Sequence, residues 1–225
     1  MQIRKESLKN DCYYHIFSRS ISKYVVFNNP QEYSRMIEIL KLYRFVEFYH
    51  SYSKFIQLEL NTQKAIISSL KKNSPVLIEI VAYCLMPTHI HLLLRQIADN
   101  GISKYMAKVL NSYTRYFNIK HQRLGPLWAG RFKNVLVSDD NQLLHLTRYL
   151  HLNPSSAELV QNPKKWHYSS YREYINDNVF NEEFCTFSHL FNFTPKEYQK
   201  FVLDQKSYQR EISLIKHCLI DSYTG

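Results

Sequence analysis

The sequence predicts an α+β fold in which an antiparallel sheet is flanked by helices and followed by a helical C-terminal appendage. Two apolar runs, residues 76–85 and 89–96, are separated only by Met86-Pro87-Thr88. A connection this short between two strands implies an antiparallel hairpin. Several longer segments carry apolar residues at helical spacing. With 45% hydrophobic residues among 225, the chain can bury one core.

The first part of the chain predicts one strand and two helices. Residues 11–19 are rich in aromatic and β-branched side chains, which is typical of a strand. His15 is the only histidine in that strand, which favours a structural or DNA-contacting role over metal binding. Pro30 marks the start of a helix predicted over 31–49, because proline is common at the first helical position. A second helix is predicted over 53–72, where lysines, polar residues and a proline form a typical end signal.

The remaining elements alternate in type. An apolar stripe predicts a helix over 101–120, and Gly125-Pro126 then breaks the chain. Residues 131–138 alternate in polarity and predict a strand. Acidic capping residues begin a helix predicted over 140–152, and Pro154 is expected to end it.

The C-terminal part predicts short helices after a loop at 176–182. Pro195 supports the middle one of these helices. We therefore divide the chain into a domain over 1–175, with a helical insertion at about 50–74, and an extension over 176–225. The predicted helices of the extension lie near 187–192, 195–204 and 207–221.

Composition narrows the function classes. The formal net charge of +10 and the pI near 9.3 favour a polyanionic partner. The four cysteines are far apart, which favours neither a zinc ribbon nor a disulfide framework and fits a reduced cytosol. We see no signal-peptide core and no apolar run long enough to span a membrane. Composition therefore favours a cytoplasmic protein with a polyanionic partner.

The second strand of the hairpin carries a histidine pair. Side chains alternate faces along a strand, so His89 and His91 point the same way, and Ile90 and Leu92 point into the core. Two imidazoles at this spacing can bind one divalent metal ion. Two polar residues on an open sheet face would produce the same pattern.

A basic segment follows the histidine strand. Residues 101–138 hold seven Lys and Arg residues and no Asp or Glu, with aromatic residues interleaved. This pattern favours a surface that contacts phosphates and stacks bases, although a solvated basic face above core aromatics is the alternative. The candidate DNA contacts are Lys104, Lys108, Arg115, Tyr116, Arg123, Trp128, Arg131 and Lys133.

The helix over 140–152 carries the candidate nucleophile. Tyr149 and Asn153 are four residues apart and share a helix face if the last turn persists to Asn153. A tyrosine and a carboxamide at this spacing can present a nucleophile and a metal ligand to one site. His145 shares the face and could assist proton transfer, whereas His151 points elsewhere and is expected to be structural. Two rival nucleophiles remain: Tyr113, which is expected to be core, and Tyr116 at the edge of the apolar stripe.

Five motifs stand in a fixed order: Ala82–Leu94, Asn111–Asn118, Gly125–Lys133, Arg148–Pro154 and Trp166–Tyr171. Together they resemble the REP-associated tyrosine transposases, a group of single-tyrosine HUH transposases that act on single-stranded DNA. The resemblance covers about residues 11–175. Two departures are Thr88, where the family usually has Asn, and Ser20-Ile21-Ser22, where it often has Gly-Asn-type residues.

The resemblance implies a ferredoxin-like or RNA-recognition-type HUH fold and a role for each matching residue. His89 and His91 match the metal ligands, Asn153 the amide that completes the metal site, and Tyr149 the catalytic tyrosine. Mg²⁺ or Mn²⁺ suits such a site, whereas Zn²⁺ would need a third strong protein ligand. The tyrosine is expected to hold a 5′ phosphate and to release a 3′ hydroxyl. The implied partner is hairpin-forming single-stranded DNA, bound by a monomer or a homodimer. The resemblance also implies a bacterial protein of the cytoplasm that associates with the nucleoid.

Three function classes remain in consideration. The first is a single-strand DNA transposase or nuclease that uses a tyrosine and a metal ion. The second is an inactive DNA-binding protein derived from such an enzyme. The third is a metal-dependent hydrolase that uses water, for which the sequence lacks carboxylates near the histidines. A relaxase or replication initiator would be expected to show a different motif order.

Overall fold

A four-stranded antiparallel sheet forms the centre of the computed structural model, which describes residues 8–177 and 184–204. The strands are β1 (Tyr13–Arg19), β2 (Ile78–Met86), β3 (His89–Gln96) and β4 (Lys133–Leu136), in the spatial order β2-β3-β1-β4. The sequence thus predicted the fold class and the β2–β3 hairpin correctly. The predicted strand over 131–138 is shorter than expected.

Seven α-helices occur in the described ranges. They are α1 (Pro30–Tyr43), α2 (Tyr52–Phe55), α3 (Leu60–Asn73), α4 (Gly101–Lys120), α5 (Asp140–Ser156), α6 (Tyr171–Tyr174) and α7 (Pro195–Leu203). Short 3₁₀ turns lie at Ile21–Lys23 and Pro163–Lys165. No helix in these ranges is long and apolar enough to cross a membrane.

The sheet separates two layers of packing. On one face, Ile16, Ile90 and Leu92 pack with α1 and α4 in the main core. The other face carries His15 and His91, and we call it the histidine face. Cys84 and Leu93 of this face pack under α5, with Leu146 and Leu150. The histidine face is therefore covered by a helix rather than open to solvent.

Two predicted helix boundaries in the first half of the chain are wrong. The helix predicted to reach residue 49 ends at Tyr43, because the chain then turns to meet the segment before β2. Leu77 N donates to Arg44 O at 2.7 Å, and Val46 N donates to Pro75 O at 2.9 Å. The single helix predicted over 53–72 is divided into α2 and α3, and Ser51 Oγ caps the first of them.

Helix α5 is longer than predicted. Asp139 caps its start by accepting a hydrogen bond from Gln142 N at 2.8 Å. Pro154 was expected to end the helix, but it lies inside the last turn, which continues to Ser156. Proline removes one backbone donor and strains the preceding turn without necessarily stopping the helix. The extra turn keeps Asn153 in helical geometry.

The C-terminal segment is partly helical and joins the domain. The helix predicted near 187–192 is wrong, because residues 188–190 form a turn. The middle helix is confirmed as α7, with a capping box between Thr194 and Glu197. Its Tyr198 and Val202 are fully buried against α5. The helix predicted near 207–221 lies outside the described residues.

Candidate functional site

The histidine pair of β3 lies on one face of the sheet, as its spacing predicted. The ring centroids of His89 and His91 are 5.0 Å apart. His91 stands opposite Phe17 of β1 and Cys84 of β2, and directly opposed residues project to the same face. His91 is 1% exposed and His89 is half-buried. The two rings are close enough to share one metal ion.

His15 of β1 belongs to the same cluster, which sequence reasoning missed. Its Nε2 lies 3.0 Å from Nδ1 of His91, and the two rings stack with centroids 5.2 Å apart. His15 is completely buried. The sequence did not place His15 beside His91, because strand order, which puts β1 next to β3, is not visible in local sequence. Alternation along the strand puts His15 and Phe17 on one face of β1, but it does not show which strand that face adjoins.

Tyr149 reaches the histidine cluster from α5. Its ring centroid lies 5.8 Å from that of His91, in an edge-on arrangement, and 6.1 Å from that of His15. The side chain is 7% exposed. The candidate nucleophile and one candidate metal ligand, His91, are therefore neighbours within a single chain.

Asn153 lies one helical turn beyond Tyr149. Because α5 continues to Ser156, residues four apart remain on one face, as the interpretation of this pair required. The Nδ2 atom of Asn153 is buried and has no hydrogen-bond partner. The amide oxygen and nitrogen can be exchanged by a flip of the side chain, so this position fits an oxygen that binds a cation.

His89, His91 and Asn153 supply imidazole and amide groups, which are donor types that could hold a divalent metal ion. Among the residues that the structure describes, no group of three or more His, Cys, Asp and Glu side chains is placed to hold a metal. Nδ1 of His91 is engaged by His15, and Nδ1 of His89 lies 2.9 Å from Thr88 Oγ1. These contacts orient both rings and favour Nε2 of each as the ligand nitrogen.

The protonation state of His91 suits ligand binding. Burial, together with the nearby charges of His89, His15 and Arg19, holds the pKa of His91 well below its usual range. A neutral imidazole keeps a lone pair for a metal, whereas an imidazolium has none.

The other candidates on α5 lie elsewhere. The ring of His145 packs against Phe201 of α7, with centroids 5.5 Å apart. His151 is confirmed as structural: its Nδ1 is 2.6 Å from Tyr198 Oη and its Nε2 is 2.8 Å from Ser170 Oγ. Burial lowers the pKa of His151 to about 3, so the ring is neutral and can serve both partners.

The rival tyrosines of α4 lie outside the histidine cluster. Tyr113 is confirmed as a core residue: it is fully buried, and its hydroxyl donates to Val26 O at 2.5 Å. Tyr116 is partly exposed, with the guanidinium carbon of Arg35 4.7 Å from its ring centroid. Both residues belong to the layer opposite α5.

The basic residues do not form one surface around the site. Lys133 stands opposite Phe17, which stands opposite His91, so these three lie in one row across the histidine face. Arg131, two residues before Lys133, is exposed. Lys104 projects from α4, which packs on the opposite face, as do Lys108 and Arg115. The helix begins at the far end of β3, where Ile102 N donates to Gln96 Oε1.

The predicted aromatic platform needs a correction at Trp128. This residue is 7% exposed and packs in the main core, so little of its ring is available to a base. Its spacing among arginines and lysines resembled an interleaved DNA-binding pattern, but the backbone of Trp128 bridges to Ser20 at the sheet edge and turns the ring inward.

Comparisons with known proteins place the chain in a family. Residues 8–153 match the family model described as Transposase IS200 like. The match covers more than half of the chain, and the chain therefore belongs to the IS200-like transposase family. A protein of Haemophilus influenzae, provisionally named a REP-associated tyrosine transposase, is 30% identical over 116 residues. That alignment covers 47% of this chain and 65% of the relative, so the chain spans less than two thirds of it.

Two solved structures are similar in outline. One is a REP-associated tyrosine transposase bound to a REP hairpin, at 14% identity and a TM-score of 0.47, covering 86% of this chain and 99% of the other. The other is a provisionally named transposase from Deinococcus radiodurans, at 16% identity and a TM-score of 0.35, covering 66% and 95%. At these values they add nothing to the family assignment.

Proposed function

We propose that this protein is a metal-dependent endonuclease and strand transferase that acts on single-stranded DNA through a covalent 5′-phosphotyrosine at Tyr149. The observation that carries the proposal is the approach of the Tyr149 ring to the histidine cluster, 5.8 Å from His91. The same ring lies 6.1 Å from the ring of His15, so Tyr149 and the two buried histidines form one cluster. Membership in a transposase family supports a reaction that cleaves and rejoins DNA.

Each step of the proposed reaction balances without a further reactant. The phenol oxygen of Tyr149 attacks phosphorus, and the bond from phosphorus to the 3′ oxygen breaks. The phenol loses its proton and the departing 3′ oxygen takes one up. The phosphotyrosine ester conserves the energy of the broken bond, so a 3′ hydroxyl of another strand can displace the tyrosine. Rejoining is therefore the reverse of the cleavage reaction.

A divalent cation, Mg²⁺ or Mn²⁺, would neutralise charge on the scissile phosphate when bound. In this proposal His89 and His91 hold it through Nε2, and Asn153 supplies an amide oxygen. Thr88 and His15 orient the two imidazoles. Burial under α5 strengthens these interactions, because water does not screen them.

The proposed substrate is hairpin-forming repeat DNA. The Haemophilus influenzae relative is named for an association with REP elements, and the motif order of this chain resembles the same group. Lys133 and Arg131, at the edge of the histidine face, are the proposed phosphate contacts closest to the reacting groups. A net charge of +10 supports a polyanionic partner in general.

The test is formation of a covalent adduct. Single-stranded hairpin DNA from the flanks of the protein's own gene is incubated with Mn²⁺, and a denaturing gel detects protein joined to DNA. Wild type is expected to form an adduct, and Tyr149→Phe is expected to form none. Tyr116→Phe is the matched control, because it removes a partly exposed phenol outside the cluster and should leave the adduct intact.

Other outcomes would overturn parts of the proposal. An adduct that persists in Tyr149→Phe would move the nucleophile elsewhere. An adduct that forms equally well after treatment with a chelator would remove the metal from the mechanism. Tight DNA binding without cleavage by either protein would favour an inactive DNA-binding protein derived from a transposase.

A further inference from the structure

The loop over residues 20–27, which connects β1 to α1, lies at the end of the sheet where the histidine pair begins. Ser20 N donates to Thr88 O at 2.9 Å, and Val26 N donates to Pro87 O at 2.8 Å. These bonds fix the loop against the β2–β3 turn, immediately before the first histidine. A DNA strand that reached His89 from this end of the sheet would run beside the loop.

Three large apolar side chains of this loop face solvent. Ile21 is 37% exposed, Tyr24 is 46% exposed and Val25 is 42% exposed, whereas the next two residues are buried. Single exposed apolar residues are ordinary, but a cluster at the rim of a candidate site indicates contact with a partner. Two adjacent residues that are not glycine, Ser22 and Lys23, have left-handed φ values of 50° and 55°. Such strain concentrates at functional loops.

Tyr24 is held in place from two sides. The guanidinium carbon of Arg123 lies 5.6 Å from its ring centroid, and Phe117 of α4 meets it nearly at right angles, with centroids 6.0 Å apart. Arg123 is itself fixed: Nη2 donates to Pro126 O at 2.7 Å and Nη1 donates to Asn118 Oδ1 at 3.1 Å. The exposed ring is therefore preorganised beside a positive charge.

The surroundings of Tyr24 favour an anionic partner. No Asp or Glu occurs between Asp11 and Glu32, the stretch that contains the loop, or within residues 101–138, which contain Phe117 and Arg123. Lys23 of the loop is exposed, whereas Lys120 pairs with Glu32 at 2.9 Å. An apolar protein surface would use the apolar side chains but not this charge. An unpaired nucleotide uses both, because its base stacks on an aromatic ring while its phosphate binds a cation.

We propose that the 20–27 loop binds an unpaired nucleotide of the DNA strand that enters the site, with the base stacked on Tyr24 and the phosphate bound by Arg123 and Lys23. The ligand class rests on the proposed function. Stacking is independent of the chemistry at Tyr149, so binding and cleavage can be measured separately.

The experiment uses the full chain carrying Tyr149→Phe, in chelator, so that no strand is cleaved. Single-stranded hairpin oligonucleotides carry one 5-iododeoxyuridine at successive flanking positions, and ultraviolet light joins this base to an adjacent aromatic ring. We expect one position to crosslink to the peptide that contains Tyr24. In fluorescence anisotropy, Tyr24→Ala is expected to weaken binding about 5- to 150-fold, since one base–aromatic stack contributes about 1–3 kcal/mol.

Two comparisons make the result specific. Tyr24→Phe keeps the ring and is expected to bind like the parent protein. Tyr49→Ala removes a tyrosine that is 81% exposed and lies outside this loop, and it is expected to leave affinity unchanged. Thermal unfolding of each variant shows whether the exposed substitutions leave the fold intact.

Two results would overturn the proposal. One is unchanged affinity of Tyr24→Ala with crosslinks that map only outside the loop. The other is a change in sedimentation on Tyr24→Ala without a change in DNA affinity, which would make the patch a contact between copies of this chain. Neither result depends on adduct formation, so failure of the nucleotide site and failure of the Tyr149 mechanism are separate observations.

Discussion

His15 and His91 share one hydrogen bond across two adjacent strands, with Nε2 of the first 3.0 Å from Nδ1 of the second. Both residues are almost completely buried, and their rings stack. A histidine ligand commonly uses its second nitrogen to hold a partner that fixes the orientation of the ring. His15 is therefore a positioning residue in the proposed site rather than a ligand.

Replacement of His15 should weaken metal binding in a protein that still folds. We expect His15→Ala to lower Mn²⁺ affinity or the rate of adduct formation about 10- to 100-fold, the range for loss of a partner behind a metal ligand. His15→Gln, which keeps a hydrogen-bonding group, should recover part of the loss. Calorimetric titration of Mn²⁺ into the DNA-free protein measures the affinity directly. An unchanged affinity in a folded His15→Ala protein would contradict the assignment.

The sequence shows the pair of His89 and His91 but not the third histidine of the cluster, His15. Strand β3 and helix α4 have the predicted bounds, 89–96 and 101–120, because local periodicity and end signals determine them. His15 joins the cluster through the register between β1 and β3, which involves residues 76 positions apart. The prediction that the helix ends at Pro154 was wrong for a related reason, because tertiary packing of α5 overrides a local stop signal.

Lys133 and Lys104 should contribute unequally to DNA binding, although both are exposed lysines in the same basic segment. Lys133 lies in one sheet row with His91, whereas Lys104 lies on the layer that covers the opposite face. We expect Lys133→Ala to weaken binding of single-stranded hairpin DNA and to reduce the slope of log affinity against log salt by about one. Lys104→Ala should change neither quantity. Equal effects in anisotropy titrations over a salt series would mean that binding follows total charge rather than position.

Tyr198 of α7 should support the position of α5, the helix that carries Tyr149. Its hydroxyl is 2.6 Å from Nδ1 of His151 and donates to Thr147 Oγ1 at 2.9 Å, and both partners belong to α5. Tyr198→Phe leaves these buried groups without that partner, so we expect the free energy of unfolding to fall by about 1–3 kcal/mol. Adduct formation should slow as well, because α5 loses a constraint.

Tyr174→Phe is the matched control for this prediction. Its hydroxyl is also buried, but it donates to Val81 O of β2 at 2.9 Å and not to α5. Urea unfolding should show a loss of stability for both variants. At urea concentrations where both variants remain folded, the rate of adduct formation should fall only for Tyr198→Phe. A similar loss of rate in both would show that α7 stabilises the domain without positioning the nucleophile.

Glu32 should make the stability of the protein depend on pH in the acid range. Burial by itself would raise the pKa of this carboxyl, but hydrogen bonds from Lys120, Asn28 and His121 outweigh burial and lower the pKa to about 2. The side chain is 0% exposed, and Lys120 Nζ is 2.9 Å from it. These contacts join the first turn of α1 to the end of α4.

The direction of the pH effect follows from this lowered pKa. The unfolded chain binds a proton at Glu32 near pH 4.5, whereas the folded chain does so only near pH 2. The contribution of Glu32 is therefore complete above about pH 4.5 and is lost as the pH falls toward 2. We expect Glu32→Gln to lower the free energy of unfolding by about 2 kcal/mol at pH 7, with a smaller difference from wild type at pH 3. Urea unfolding of both proteins at the two pH values measures this, and a difference that stays constant with pH would show that the carboxylate charge contributes nothing.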